Sequence, residues 1–259
     1  MTRLRSVLLT GALATACSFT SAAQSPVVAN PAPLAAQDPT ANTRALEPFT
    51  ARYEVFRSGK RLGAATLQLV RQGTPRWRID LIMRGTGIAG MAGLNAEQST
   101  VFDATASGYR PISQATRRAA LFTKRATTGT YDWSHKSAQW SGKVKETRRA
   151  AVVLQEGDMS GLLINLAVVR DARPGASLAY RFVDDGRVRD HRYLVATLTE
   201  PVVVDELRYD AMRVTRTGAN GEETVIWVGD GVPTPIRILQ RENGADTYDL
   251  RLVEYRGVP

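Results

Sequence analysis

Only one segment, residues 157–175 (GDMSGLLINLAVVRDARPG), carries a helical period, and the apolar runs on both sides of it alternate in twos. Met159, Leu162, Leu163, Leu166 and Val169 recur at three- and four-residue steps, and Ile164, Ala167 and Val168 widen the stripe until little polar surface is left. A helix that apolar must be buried. Asp158 or Ser160 is placed to cap its start, Arg170 and Arg173 suit the negative end of its dipole, and Pro174-Gly175 stops it. The expected fold is mainly β: a single antiparallel curved sheet, half-barrel or barrel, with one buried helix at about residues 158–172.

The alternation sets out the strands. Residues 49–57 are followed by a Ser58-Gly59 turn and a return strand at 64–71, then by a third strand at 77–84 that puts Trp77, Ile79, Leu81 and Met83 on one face. Further strands are expected at 96–103, 110–118, 125–133, 138–141 and 144–154, with Trp133 and Trp140 paired across a hairpin. Beyond the helix they are expected at 177–183, 187–199, 202–204, 208–217, 223–228, 235–242 and 247–256. Asp184-Asp185-Gly186 and Asn243-Gly244 supply turns between them.

The start of the chain reads as an address. Arg3 and Arg5 precede a short apolar run and the small residues Ser21-Ala22-Ala23, the order of a secretory signal peptide over residues 1–23 with cleavage near Ala23. No apolar run reaches the roughly 20 residues of a transmembrane helix, so a periplasmic protein without a transmembrane segment is expected. Cys17, the one cysteine, is either lost with the signal or is the alternative lipid anchor of a lipoprotein. Residues 24–46 hold Pro26, Pro31, Pro33 and Pro39 and no aromatic side chain, and read as a disordered Pro/Ala-rich tether. Residues 47–258 then form a single β-rich domain.

Removing residues 1–23 takes two of the 34 basic residues and none of the 25 acidic ones, leaving 32 against 25, a net charge of +7. The densest groups are Arg117-Arg118, Lys124-Arg125 and 143–149. They read either as solvated strand edges or as attraction to anionic lipid or another acidic envelope component. Nucleic acid is not expected, because no reading motif is present.

The usual chemistries lack their residues. His135 sits in a tight turn and His191 on a charged strand, and neither has metal-ligand spacing; no metal and no cofactor are expected. Ser160, followed by Asp184 or Asp185 and then His191, mimics the order of a hydrolase. The Gly-x-Ser-x-Gly spacing fails, however, since two residues separate Gly157 from Ser160. The carboxylate pairs Asp184-Asp185, Asp205-Glu206 and Glu222-Glu223 fall at turns and read as solvated. Residues 85–95 (GTGIAGMAGLN) combine four glycines with Ile88, Met91 and Leu94, which makes this loop either a lid over an apolar ligand site or a plug for the end of the sheet.

Tyr53-Glu54-Val55, Gly59, Leu62-Gly63, Asp158-Met159-Ser160, and the closing Trp227 through Pro235-Ile236-Arg237 together resemble the exported bacterial family called domain of unknown function 3108. The likeness spans about residues 47–258 and implies an exported, mostly β protein with no catalytic residues to carry over. The closing strands are also similar, in architecture, to periplasmic lipoprotein carriers of the Lol type, open half-barrels that shelter acyl chains. The expected function is non-enzymatic binding of a lipid or lipidated partner between sheet and helix, with Ile88, Met91 and Leu94 as ligand-binding lid residues. The alternative is a structural or assembly module of the cell envelope, and the remote alternative a hydrolase using Ser160.

Overall fold

A computed structural model describes residues 46–87, 95–120, 123–204, 206–218 and 221–257. The expected signal peptide, Ala23, Cys17 and the loop residues Ile88, Met91 and Leu94 lie outside the described residues. Leu46, the last residue of the expected tether, packs against the core.

Before the helix come β1 (Phe49–Arg57), β2 (Lys60–Arg71), β3 (Arg76–Gly85), β4 (Asn95–Thr105), β5 (Gly108–Ala120), β6 (Thr123–Asp132), β7 (Ser137–Gly142), β8 (Val152–Val153) and β9 (Asp158–Met159). The helix α1 (Gly161–Asp171) leads to β10 (Ser177–Asp184), β11 (Arg187–Val204), β12 (Leu207–Thr217), β13 (Glu222–Gly229), β14 (Arg237–Glu242) and β15 (Ala245–Gly257). They form one sheet in the order β8-β7-β6-β5-β4-β3-β2-β1-β15-β14-β13-β12-β11-β10-β9, antiparallel except where β9 runs parallel to β10. Apart from the central β1–β15 pair, every ladder joins neighbours in sequence, so short hairpins build each half.

The ladder does not close, but the sheet curls until its two ends meet. The helix touches β3, β4 and β5 on one side and β10 on the other, which a flat sheet could not allow. Side chains form the seam. Tyr131 donates its hydroxyl to the carbonyl of Val183 at 2.7 Å, Trp140 donates Nε1–H to Gln114 Oε1 at 3.1 Å, Gln114 donates to Asp184, and Arg148 pairs with Asp185 at 3.0 Å. Tyr131, Trp140, Leu154 and Val183 fill a small core beneath these bonds. The main core lies inside the curl, where Leu163, Ile164, Ala167 and Val168 of the helix meet Phe49, Tyr53, Leu69, Ile79 and Phe102 of the sheet.

Five local expectations need correction. The helix begins at Gly161, because Asp158 and Met159 are held extended against Arg181 and Phe182 of β10. Residues 144–154 give only a 3-10 turn at Glu146–Arg148 and the two-residue β8, since the exposed run Lys145-Glu146-Thr147 between Val144 and Leu154 offers no apolar face. The segments 187–199 and 202–204 are one strand, β11. Its partner β10 ends opposite Leu194, so Pro201 lies where that edge has no ladder to lose. Trp140 stands opposite Gly129 and packs edge-on to Tyr131, while Trp133 lies in the turn, under Arg110, and donates Nε1–H to the Pro111 carbonyl at 2.7 Å; the two tryptophans do not pair. The strand expected from Pro235 starts at Arg237, opposite Trp227, because proline has no amide to give a ladder and the Pro235 carbonyl accepts the Tyr53 hydroxyl instead.

Candidate functional site

A cavity of about 420 Å³ opens between the helix and the two arms of the curled sheet. Leu162 and Ile164 of α1, Leu81 and Met83 of β3, Ile238 of β14 and Leu250 of β15 give it apolar walls. Its other side is cationic: Arg118 reaches in from β5, Arg187 and Arg189 from β11 and Arg216 from β12. Among the described residues, no carboxylate lines it. The β11 residues arrive there by strand geometry, since Arg187, Arg189, His191 and Tyr193 are alternate positions and share a face with buried Val195. That face runs from charge at the mouth to aromatic rings at the core.

The charges are partly matched. Arg187 donates to Asp185 at 3.2 Å, Arg189 lies 3.6 Å from Glu222, and Arg216 donates to Thr224 Oγ1 at 3.0 Å. Arg118 has no ion pair among the described residues. Three buried polar atoms at this wall, Arg187 Nε, Arg216 Nε and His191 Nδ1, have no hydrogen-bond partner. His191 stacks on Phe182 with ring centroids 4.9 Å apart. Burial, then Arg216 and Arg189, push its pKa down to about 4 against the opposing pull of Asp190, so it is neutral at neutral pH. Burial pushes the Tyr193 hydroxyl up to about 12.

The start of the helix faces the same space, and its capping differs from expectation. Ser160 holds the cap position, but its hydroxyl is 3.0 Å from Thr100 Oγ1 and makes no bond to a helix amide. Asp158 is fully buried, accepting from Arg181 and from the Gln155 amide at 2.8 Å. The cap comes from Asp184, which accepts the Gly161 amide at 3.2 Å. Asp184, expected as a solvated turn residue, is thus half-buried and held by two hydrogen bonds, and desolvation raises its pKa although Gln114 and Gly161 pull it back. Ser160 is wholly buried, and since His191 Nδ1 is unpartnered, no Ser–His–Asp relay links these residues.

Other sequence-selected residues are scattered. His135 is exposed in its turn and pairs with Asp132 at 2.7 Å. Glu222 and Glu223 pair with Arg189 and Arg241, and Asp205 lies outside the described residues. The lid residues Ile88, Met91 and Leu94 lie outside them too, although Met83 and Ala96, on the strands that flank this segment, both line the cavity. The basic groups do converge: Arg118 stands opposite Arg125 on the β5–β6 hairpin, and Lys124, Arg125, Lys143 and Lys145 border one open groove. The cavity arginines of β11 were missed, although their two-residue step in phase with Tyr193 and Val195 was visible.

The residues that carried the family resemblance hold the fold. Tyr53 is buried, with its hydroxyl 2.6 Å from Thr234 Oγ1 and donating to the Pro235 carbonyl at 2.8 Å. Gly63 lies so close to the backbone of Arg84 and Gly85 that a Cβ would collide with it. Arg237 lies over Trp227 and grips Asp249 in a bidentate pair at 2.7 and 2.8 Å.

A family model described as "Protein of unknown function (DUF3108)" matches residues 49–251. No curated protein matches the chain. Among solved structures, it is similar to a beta-barrel-like protein of domain of unknown function DUF1849 from Brucella abortus, with 10% identity and a TM-score of 0.48, covering 83% of this chain and 99% of that one. It is also similar to a DUF1089 family protein from Pseudomonas aeruginosa, with 11% identity and a TM-score of 0.36, covering 70% and 90%. Neither likeness bears on what the cavity holds.

Proposed function

The chain belongs to the DUF3108 family of proteins of unknown function, and from its cavity we propose that it is a non-enzymatic binding protein of the cell envelope that shelters an acyl chain between sheet and helix. The carrying observation is the cavity itself. At about 420 Å³ it falls within the usual range of ligand sites, about 300–1,000 Å³, and apolar side chains from the helix and both arms of the sheet wall it where a purely structural core would have filled the space. The leader-like start of the sequence supports a periplasmic setting, in which a lipid is an available ligand.

A second reading has its own observation. Arg118, Lys124, Arg125, Lys143 and Lys145 form no ion pair among the described residues, which favours an envelope assembly module that docks an acidic component on this end of the sheet.

The test is titration of the purified chain with an uncharged fluorescent acyl probe, together with mass spectrometry of co-purified lipid. Wild type is expected to bind the probe, and Met83→Trp, which fills the cavity from its wall, to weaken binding by about tenfold or more with an unchanged melting temperature. A wild type that carries no lipid and takes up no probe sinks the binding reading and leaves the assembly module.

A further inference from the structure

We infer that the occupant of this cavity carries one anionic head, a carboxylate or a phosphate, seated among Arg118, Arg187, Arg189 and Arg216. The inference rests on the acyl-binding reading above and adds the chemistry of the ligand's polar end.

The four arginines come from β5, β11 and β12, strands on opposite arms of the curled sheet, and line one cavity whose described lining includes no carboxylate, Asp185 and Glu222 reaching only Arg187 and Arg189. A concentration of like charge is unfavourable for the empty protein and is relieved by an anion. The buried Nε atoms of Arg187 and Arg216 have no partner. Buried N–H groups are nearly always bonded, because leaving one unmade forfeits its lost hydration. The contacts to Asp185 and Thr224 engage the Nη2 ends of these guanidinium groups, so each still has an N–H to give to a ligand oxygen. The same positive field, acting with burial, keeps His191 neutral. Leu81, Met83, Ile238 and Leu250 continue directly from this wall, so the anion is attached to something apolar.

The experiment measures displacement of the uncharged acyl probe from the whole chain by palmitate, palmitoyl lysophosphatidate and hexadecanol, which share a chain length and differ in the head. Both anions are expected to compete about tenfold or more better than the alcohol, the scale of one charge-assisted contact. Salt is expected to erode that advantage without affecting hexadecanol. Stronger competition by lysophosphatidate identifies a phospholipid head as the source, and by palmitate a free fatty acid. In R187Q/R216Q the anions are expected to fall to the level of hexadecanol while hexadecanol itself is unchanged. Arg118→Gln, which removes no ion pair among the described residues, is expected to give a smaller loss of the same kind and serves if the double variant does not fold. Equal competition by all three in wild type overturns the anionic head and leaves the apolar site standing. Failure of the probe to bind wild type overturns the acyl-binding reading instead.

Discussion

Two arginine clusters in this molecule have opposite fates. At the β14–β15 pair, Arg237 and Arg251 both grip Asp249, whose side chain is 3% exposed, and each guanidinium also lies over an aromatic ring, Trp227 and Phe56 respectively. Burial alone would raise the Asp249 pKa, but its hydrogen bonds from the two arginines win and lower it. At the cavity, Arg187 and Arg189 each keep a single carboxylate partner, Asp185 and Glu222, Arg216 donates to the Thr224 hydroxyl, Arg118 has no ion pair among the described residues, and the buried Nε atoms of Arg187 and Arg216 are left without partners. The first cluster closes its own electrostatics and so holds two strands. The second is closed only in part from within, and that difference separates a structural arginine from one placed to meet a ligand.

The comparison breaks most visibly at Asp249. Replacing it by Ala leaves two cations around an emptied site and is expected to cost about 3 kcal/mol, the lower end for a broken buried pair because both arginines keep some solvent. Urea denaturation measures it, and a loss below about 1 kcal/mol would show that stacking on Trp227 and Phe56 carries the cluster.

At the cavity the same chemistry is expected to do little for folding. The R187Q/R216Q variant should stay within about 0.5 kcal/mol of wild type, since the charges it removes are mutually repulsive and Asp185 keeps Arg148 as a partner. A destabilisation as large as that of Asp249→Ala would mean that these arginines are structural after all.

A third contrast is a pH dependence. His191 titrates at its ordinary 6.5 in the unfolded chain and at about 4 in the folded one, through burial first and then the nearby Arg216 and Arg189. Between those values the unfolded state binds the extra proton, so stability falls as pH drops through the window, and the contribution of His191 is fully lost below it. His191→Phe, which keeps an aromatic ring against Phe182, should lose less stability than wild type between about pH 7 and about pH 4.5. Asp184 shifts the other way but is present in both proteins, so the difference isolates His191. Parallel curves for the two proteins would remove the positive field from the comparison.

How far the sequence reaches can be judged from individual residues. The step of two in FTARYEVFR is enough to place Phe49, Ala51, Tyr53 and Val55 on one buried face. Asp185-Gly186 and Asn243-Gly244 both take positive φ at their turns, as short hairpin connections demand. Leu162 through Val169 form a helix because their apolar stripe is too wide for a half-exposed strand. The candidate site was legible only in fragments. Arg118 appeared in a basic pair and His191 on a charged strand, and nothing local joined them.

Periodicity, turn conformation and helix burial are set by neighbours a few residues apart, and the sequence by itself determined them. Which hydroxyl meets Ser160, which carboxylate caps the helix and which arginines share a wall depend on chain segments that the curl of the sheet brings together, such as Arg118 of β5 and Arg216 of β12. Only the tertiary structure decided those, because the sheet's register chooses the face each side chain takes. One residue of slip in β11 would turn Arg187, Arg189 and His191 away from the cavity while leaving every local propensity satisfied.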